Sequence, residues 1–93
     1  MPMLSGQTVV TTAGTAVPLG TTQVDEAILI KALDTNTGVI AVGNDGADDV
    51  TVSNGYRLLA GETVIIAKVD NLSKIYLDSS VNGEGVSWIT LDA

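Results

Sequence analysis

Clusters of Gly, Asn and Asp interrupt this chain at short intervals: Ala13-Gly14, Asn36-Thr37-Gly38, Asn44-Asp45-Gly46, Ser53-Asn54-Gly55, Ala60-Gly61-Glu62, Asp70-Asn71 and Asn82-Gly83. Each favours a turn because Gly, Asn and Asp accept positive φ or hydrogen-bond their own backbone. The segments between them are short and rich in Val, Ile and Thr, which suit a pleated surface. That pattern predicts a sandwich or jelly roll.

Strands are expected over 7–12, 16–19, 27–33, 39–43, 56–59, 63–69, 74–78 and 86–91, with 48–53 a short strand or an extended loop. Segment 27–33 reads A-I-L-I-K-A-L, with apolar residues on both faces, so it is expected to be a central strand. Its periodicity also fits a short helix, but the Ile content and flanking breakers favour strand. Segment 39–43 is expected to return from it as a hairpin across the 34–38 turn. Pro18 places the 16–19 strand at an edge or bulge. The fold class is therefore all-β, a compact antiparallel β-sandwich or jelly-roll-like domain of about eight short strands.

A chain of 93 residues holds one hydrophobic core. Residues 1–6 are expected to form an N-terminal arm and 7–93 a single β-sandwich domain. With no Phe, one Trp and two Tyr, the core must be packed by aliphatic side chains. The sandwich core has the strongest claim on Trp88. Tyr76, on the same strand face as Lys74 and Asp78, is the aromatic expected at a partner interface. The apolar start Met1, Met3 and Leu4 is a second interface candidate.

Eleven acidic residues against four basic ones give a formal net charge of −7, a field that repels phosphate backbones, so no nucleic-acid partner is expected. No apolar run approaches the ~20 residues of a membrane helix, so no membrane partner is expected either. The start carries no basic leader, and the product is expected to stay in the cytoplasm that made it unless it leaves within an assembly. A domain this small without cysteine stabilises itself by packing or by oligomerising, and a homo-oligomer is expected.

The chain contains no His and no Cys, which removes Ser-His-Asp and Cys-His nucleophile activation and tetrahedral zinc sites. No enzymatic activity and no cofactor are expected. Paired carboxylates are the chemistry left, with Asp25 and Glu26, Asp48 and Asp49, or Glu62 and Asp78 as the pairs. All lie in or beside turns, where acidic residues ordinarily face water. Asp45, Asp48 and Asp49 are the candidate cation ligands, although the run lacks the D-x-[DN]-x-[DN]-G spacing of an EF-hand. A hydrated acidic turn is the favoured reading of it.

Several phrases together carry a resemblance: Val9-Val10-Thr11-Thr12-Ala13-Gly14-Thr15-Ala16-Val17, Ile30-Lys31-Ala32, Asn36-Thr37-Gly38, Val42-Gly43, Ser53-Asn54-Gly55-Tyr56, Leu59-Ala60-Gly61-Glu62, Val69-Asp70-Asn71-Leu72, Lys74-Ile75-Tyr76 and Val81-Asn82-Gly83-Glu84-Gly85-Val86-Ser87. In order and spacing, over residues 6–89, the chain resembles small structural proteins of the virion modules of tailed bacteriophages. The resemblance implies a capsid decoration (cement) protein on the capsid exterior of the virion, with the major capsid protein of the phage head as partner and a homotrimer as the favoured assembly. Residues 1–6 or the loop 44–49 would reach the shell. The alternative it implies is a carbohydrate- or receptor-binding β module of a fibre or tail.

Overall fold

The computed structural model describes residues 3–91. Eight strands and one short 3-10 helix make up its regular structure: β1 (Ser5–Val10), β2 (Val17–Pro18), β3 (Ala27–Ala32), β4 (Ile40–Gly43), β5 (Tyr56–Leu58), β6 (Thr63–Ile66), η1 (Leu72–Lys74), β7 (Tyr76–Ser79) and β8 (Glu84–Leu91). They form two four-stranded sheets, in the orders β1-β8-β3-β6 and β2-β7-β4-β5, and every pairing is antiparallel. The first strand thus pairs with the last, the second with the seventh, the third with the sixth and the fourth with the fifth. Such nesting is a long hairpin wound around itself, the strand order of a jelly roll.

Alternation along the strands decides which side faces the core. In β3, Ile28, Ile30 and Ala32 point inward, and their register partners Thr90, Trp88 and Val86 on β8 lie on the same face. Ile40, Val42, Leu58 and Leu77 answer them from the opposite sheet. Leu19, Val24 and Leu72 close one end of the barrel-like core. Trp88 packs against this core half-buried, lying so close to Gly6 that a Cβ there would sit 2.9 Å from the indole ring. Gly6 makes room for the single large side chain.

Two expectations need correction. The segment 39–43 is not the hairpin partner of 27–33: β3 pairs with β6 and β8, and β4 with β5 and β7, so the 34–38 turn carries the chain from one sheet to the other. Three side chains hold this corner. The Asn36 amide donates to the Gly85 carbonyl at 2.9 Å, and the Glu84 carboxylate accepts from the Thr37 and Gly38 amides at 2.7 and 2.9 Å and from the Thr37 hydroxyl at 2.9 Å. Asn36 continues the ladder where β3 has already turned away.

Nor is 1–6 an arm throughout. Ser5 and Gly6 already belong to β1, while Leu4 packs on the core and exchanges hydrogen bonds with Thr90. Its partly buried apolar side chain has a place against the core. Segment 48–53 adopts no strand; its Val50 folds back and is buried.

The loops gather at two ends. At one, the connections 19–26, 44–55 and 67–75 are tied by Leu72 N–H to Thr22 O, Val24 N–H to Asp70 O and the Asn44 amide to Lys74 O. At the other, 11–16, 33–39 and 80–83 are tied by Ala13 N–H to Asn82 Oδ1 and Ser80 N–H to Val39 O.

Candidate functional site

Of the candidate carboxylate pairs, Glu62 and Asp78 are both engaged by backbone amides. Glu62 accepts the Leu59 N–H at 2.7 Å within its own turn, whereas Asp78, 2% exposed in the other sheet, accepts from Gly14 and Ser79 N–H at 2.9 and 2.8 Å. Each is occupied in holding backbone. Asp25 is exposed at the approach to β3, and its neighbour Glu26 is half-buried with Oε1 shielded from water. Glu84 is the carboxyl whose titration the fold clearly moves: the Thr37 and Gly38 amides that point at it hold its pKa below the usual carboxylate value.

In the acidic loop the oxygens turn inward on their own backbone. Asn44 Oδ1 accepts from Gly46 and Asp48 N–H at 2.8 and 3.2 Å, Asp45 Oδ1 from Ala47 N–H at 2.8 Å and Asp49 Oδ1 from Val50 N–H at 2.8 Å. Asp48 sits at φ 59° and Gly46 at φ 93°, conformations that Asx turns favour. Among the described residues no three His, Cys, Asp or Glu side chains converge as a metal site, and one oxygen each of Asp45, Asp48 and Asp49 is engaged within the loop.

What this loop builds is a rigid rim. Its base is pinned twice, by Asn44 to Lys74 O and by Asn54 Oδ1 accepting from Thr51 N–H at 2.9 Å. Val50 anchors it from below, against Gly43 and Gly55; a Cβ on Gly55 would lie 2.5 Å from Val50 and 2.8 Å from Ala41. Between rim and sheet lies an open cleft of about 200 Å³, lined by Val42, Asn44, Asp45, Asn54 and Tyr56. Tyr56 stands at its edge, 61% exposed.

Of the residues singled out from sequence, Met3 is 67% exposed, Leu4 is packed inward, and Met1 lies outside the described residues. Tyr76 is half-buried between Pro18 and Gly43 on its neighbouring strands. The prominent aromatic is instead Tyr56. Its position directly after Ser53-Asn54-Gly55 was the available signal, because a residue entering a strand from a tight turn stands at the sandwich end, where neighbours cover only one side.

The two sheets also differ on their outer faces. That of β2-β7-β4-β5 is covered by the chain itself: Val50 lies over Ala41, which is fully buried, and the 13–14 turn caps Asp78. Among the described residues nothing covers that of β1-β8-β3-β6 in this way. Its rows run Ser5-Ile89-Leu29-Ile65 and Gln7-Ser87-Lys31-Thr63 across all four strands, flanked by Leu91 beside Ala27 and by Val9 beside Gly85. No family model, curated protein or solved structure matches this chain.

Proposed function

We propose that this chain is a structural protein of a phage virion, a decoration protein that binds the exterior of the assembled head and stabilises it, with the major capsid protein as its partner. The observation that carries the reading is the prebuilt end of the sandwich: a loop held by its own hydrogen bonds, presenting one exposed aromatic beside a shallow cleft. Interfaces concentrate their binding energy in such aromatic anchors, and a loop ordered before contact loses little entropy on binding.

The jelly-roll order supports the same reading, since viral capsid proteins and lectins both use it, although a fold hosts many functions. A protein that binds the closed shell and not its free subunits adds stability by mass action, without any chemistry. Made in the host cytoplasm, it would join the virion on the capsid exterior, where an acidic surface stays clear of packaged DNA.

The test is co-sedimentation of the purified chain with expanded, undecorated heads. Binding that is lost in Tyr56→Ala supports the proposal, and wild-type protein that stays in the supernatant overturns it. The same cleft favours one other reading, a carbohydrate- or receptor-binding module of a fibre or tail, because a tyrosine ring flanked by Asn and Asp side chains is chemistry that binds sugars. Heat on titration with host polysaccharide, together with no binding to heads, would select that alternative.

A further inference from the structure

We infer that the outer face of the β1-β8-β3-β6 sheet is a self-association surface, and that its occupant is the same face of a second copy, related by a two-fold axis. The inference is independent of the shell-binding reading, which rests on the opposite sheet's loop.

The first observation is composition by position. The chain carries eleven Asp and Glu. Among the described residues none of them occupies an outward position of this sheet, where the register places Ile65, Leu29, Ile89, Leu91 and Val9 among small and polar residues, with Lys31 the one charged side chain there. Ile65 is 61% exposed and Val9 43%. Ile89, Leu29 and Ile65 lie side by side across β8, β3 and β6, an apolar strip of the kind that marks a surface another surface covers.

The second observation identifies the occupant. Each copy carries a formal charge of −7, so most ways of bringing two copies together set carboxylates against carboxylates. This face is the exception. Its single cation, Lys31, already has a partner in Asp34 at 3.4 Å on the rim, and the pair is self-complementary, since a two-fold can also offer each Lys31 the other copy's Asp34. A strongly basic partner would find here only Asp34, already paired with Lys31, and an acidic one only that lysine.

The third is area. The molecule extends 34 × 29 × 18 Å, so its broad faces are those of the sheets. An ellipse on the two longer extents covers about 770 Å², close to the roughly 800 Å² per partner of a standard interface. Only a whole broad face of a molecule this small supplies that much. Two such sheets would stack as the sheets of a sandwich do, about 10 Å apart. A flat face meeting its own copy gives a dimer or an even-numbered assembly, where the family resemblance favours a trimer.

Analytical ultracentrifugation of the full chain tests this, with Ile65→Lys, Leu29→Lys and, as a control on the other sheet, Tyr56→Lys. A dimer is expected for the wild type and for Tyr56→Lys. Ile65→Lys, which enters a two-fold interface twice, should weaken the dimer by at least about a hundredfold, that is, tenfold or more for each copy. Because Ile65 is exposed, its circular dichroism should match wild type; if Leu29→Lys fails to fold, Ile65→Ser replaces it. Salt adds a second readout: shortening the Debye length from ~10 Å at 0.1 M to ~3 Å at 1 M screens the like net charges and should tighten the dimer. A monomeric or trimeric wild type, a dimer unchanged by both sheet variants, or a dimer dissolved by salt would each overturn the inference.

Discussion

Removing the Asn36 side chain tests whether the corner between the sheets is held as described. Asn36→Ala deletes the amide-to-carbonyl bond to Gly85 at 2.9 Å and also the longer contact at 3.4 Å from Gly85 N–H to Oδ1. The Gly85 carbonyl keeps a donor in Leu33 N–H, but its own N–H is left buried and unpaired. One lost hydrogen bond and one orphaned donor together amount to about 2 kcal/mol. A domain of this length has a total of roughly 5–14 kcal/mol, and each kcal/mol moves the midpoint by about 4–8 °C, so the expected loss is about 8–16 °C. Urea titration at constant m measures it directly.

Asn36→Asp sharpens the test because it keeps the shape and the acceptor but aims a carboxylate at the Gly85 carbonyl. At neutral pH it should be the worse variant. Burial raises its pKa above the unfolded value, so the deficit should shrink as pH falls and the protonated acid donates again. Both variants within about 0.5 kcal/mol of wild type would refute the corner argument, because surface substitutions lie in that range.

Glu84 provides a pH prediction of opposite sign. Its folded pKa lies below the ordinary carboxylate value, so its stabilisation is present above that ordinary value and is lost as pH falls through the folded pKa. Glu84→Gln should therefore flatten the acid limb of the stability curve, read by thermal melts across a pH series. Gly85→Ala would drive a methyl into the Thr8 carbonyl and to 2.7 Å from Val9 Cα, backbone atoms that cannot rotate aside. It should cost more than Asn36→Ala and expose Trp88, which opposes Gly6 on β1, seen as a red shift in tryptophan fluorescence. Tyr56→Ala should leave the melting temperature within about 4 °C of wild type, as for an exposed side chain, while removing shell binding.

Much of the fold was legible because period-two alternation and turn residues are local signals. Apolar residues on both faces of 27–33 marked a central strand, and β3 lies between β8 and β6. The misreadings were non-local. Nothing in Asn36-Thr37-Gly38 says that the next strand joins the other sheet; that follows from Glu84 and Gly85, nearly fifty residues away in sequence, capturing the turn. β8 begins inside the glycine-rich stretch because Gly85 allows β1 to approach its backbone, and β6 stops at Ile66, before the apolar pattern ends. The acidic loop offered a weak cation-site candidate beside the favoured hydrated turn, and one oxygen each of Asp45 and Asp49 caps a backbone N–H of the loop. The bare sheet face emerged only from topology, since whether an apolar residue is covered depends on where distant loops lie.

The most direct test of the account is imaging of expanded, undecorated heads incubated with the chain, beside the same heads with Tyr56→Ala. The account predicts extra density on the capsid exterior at fixed symmetry positions with the wild type, with the 44–56 end toward the shell, and bare heads with the variant. Bare heads with the wild type, or equal density with both, would contradict it.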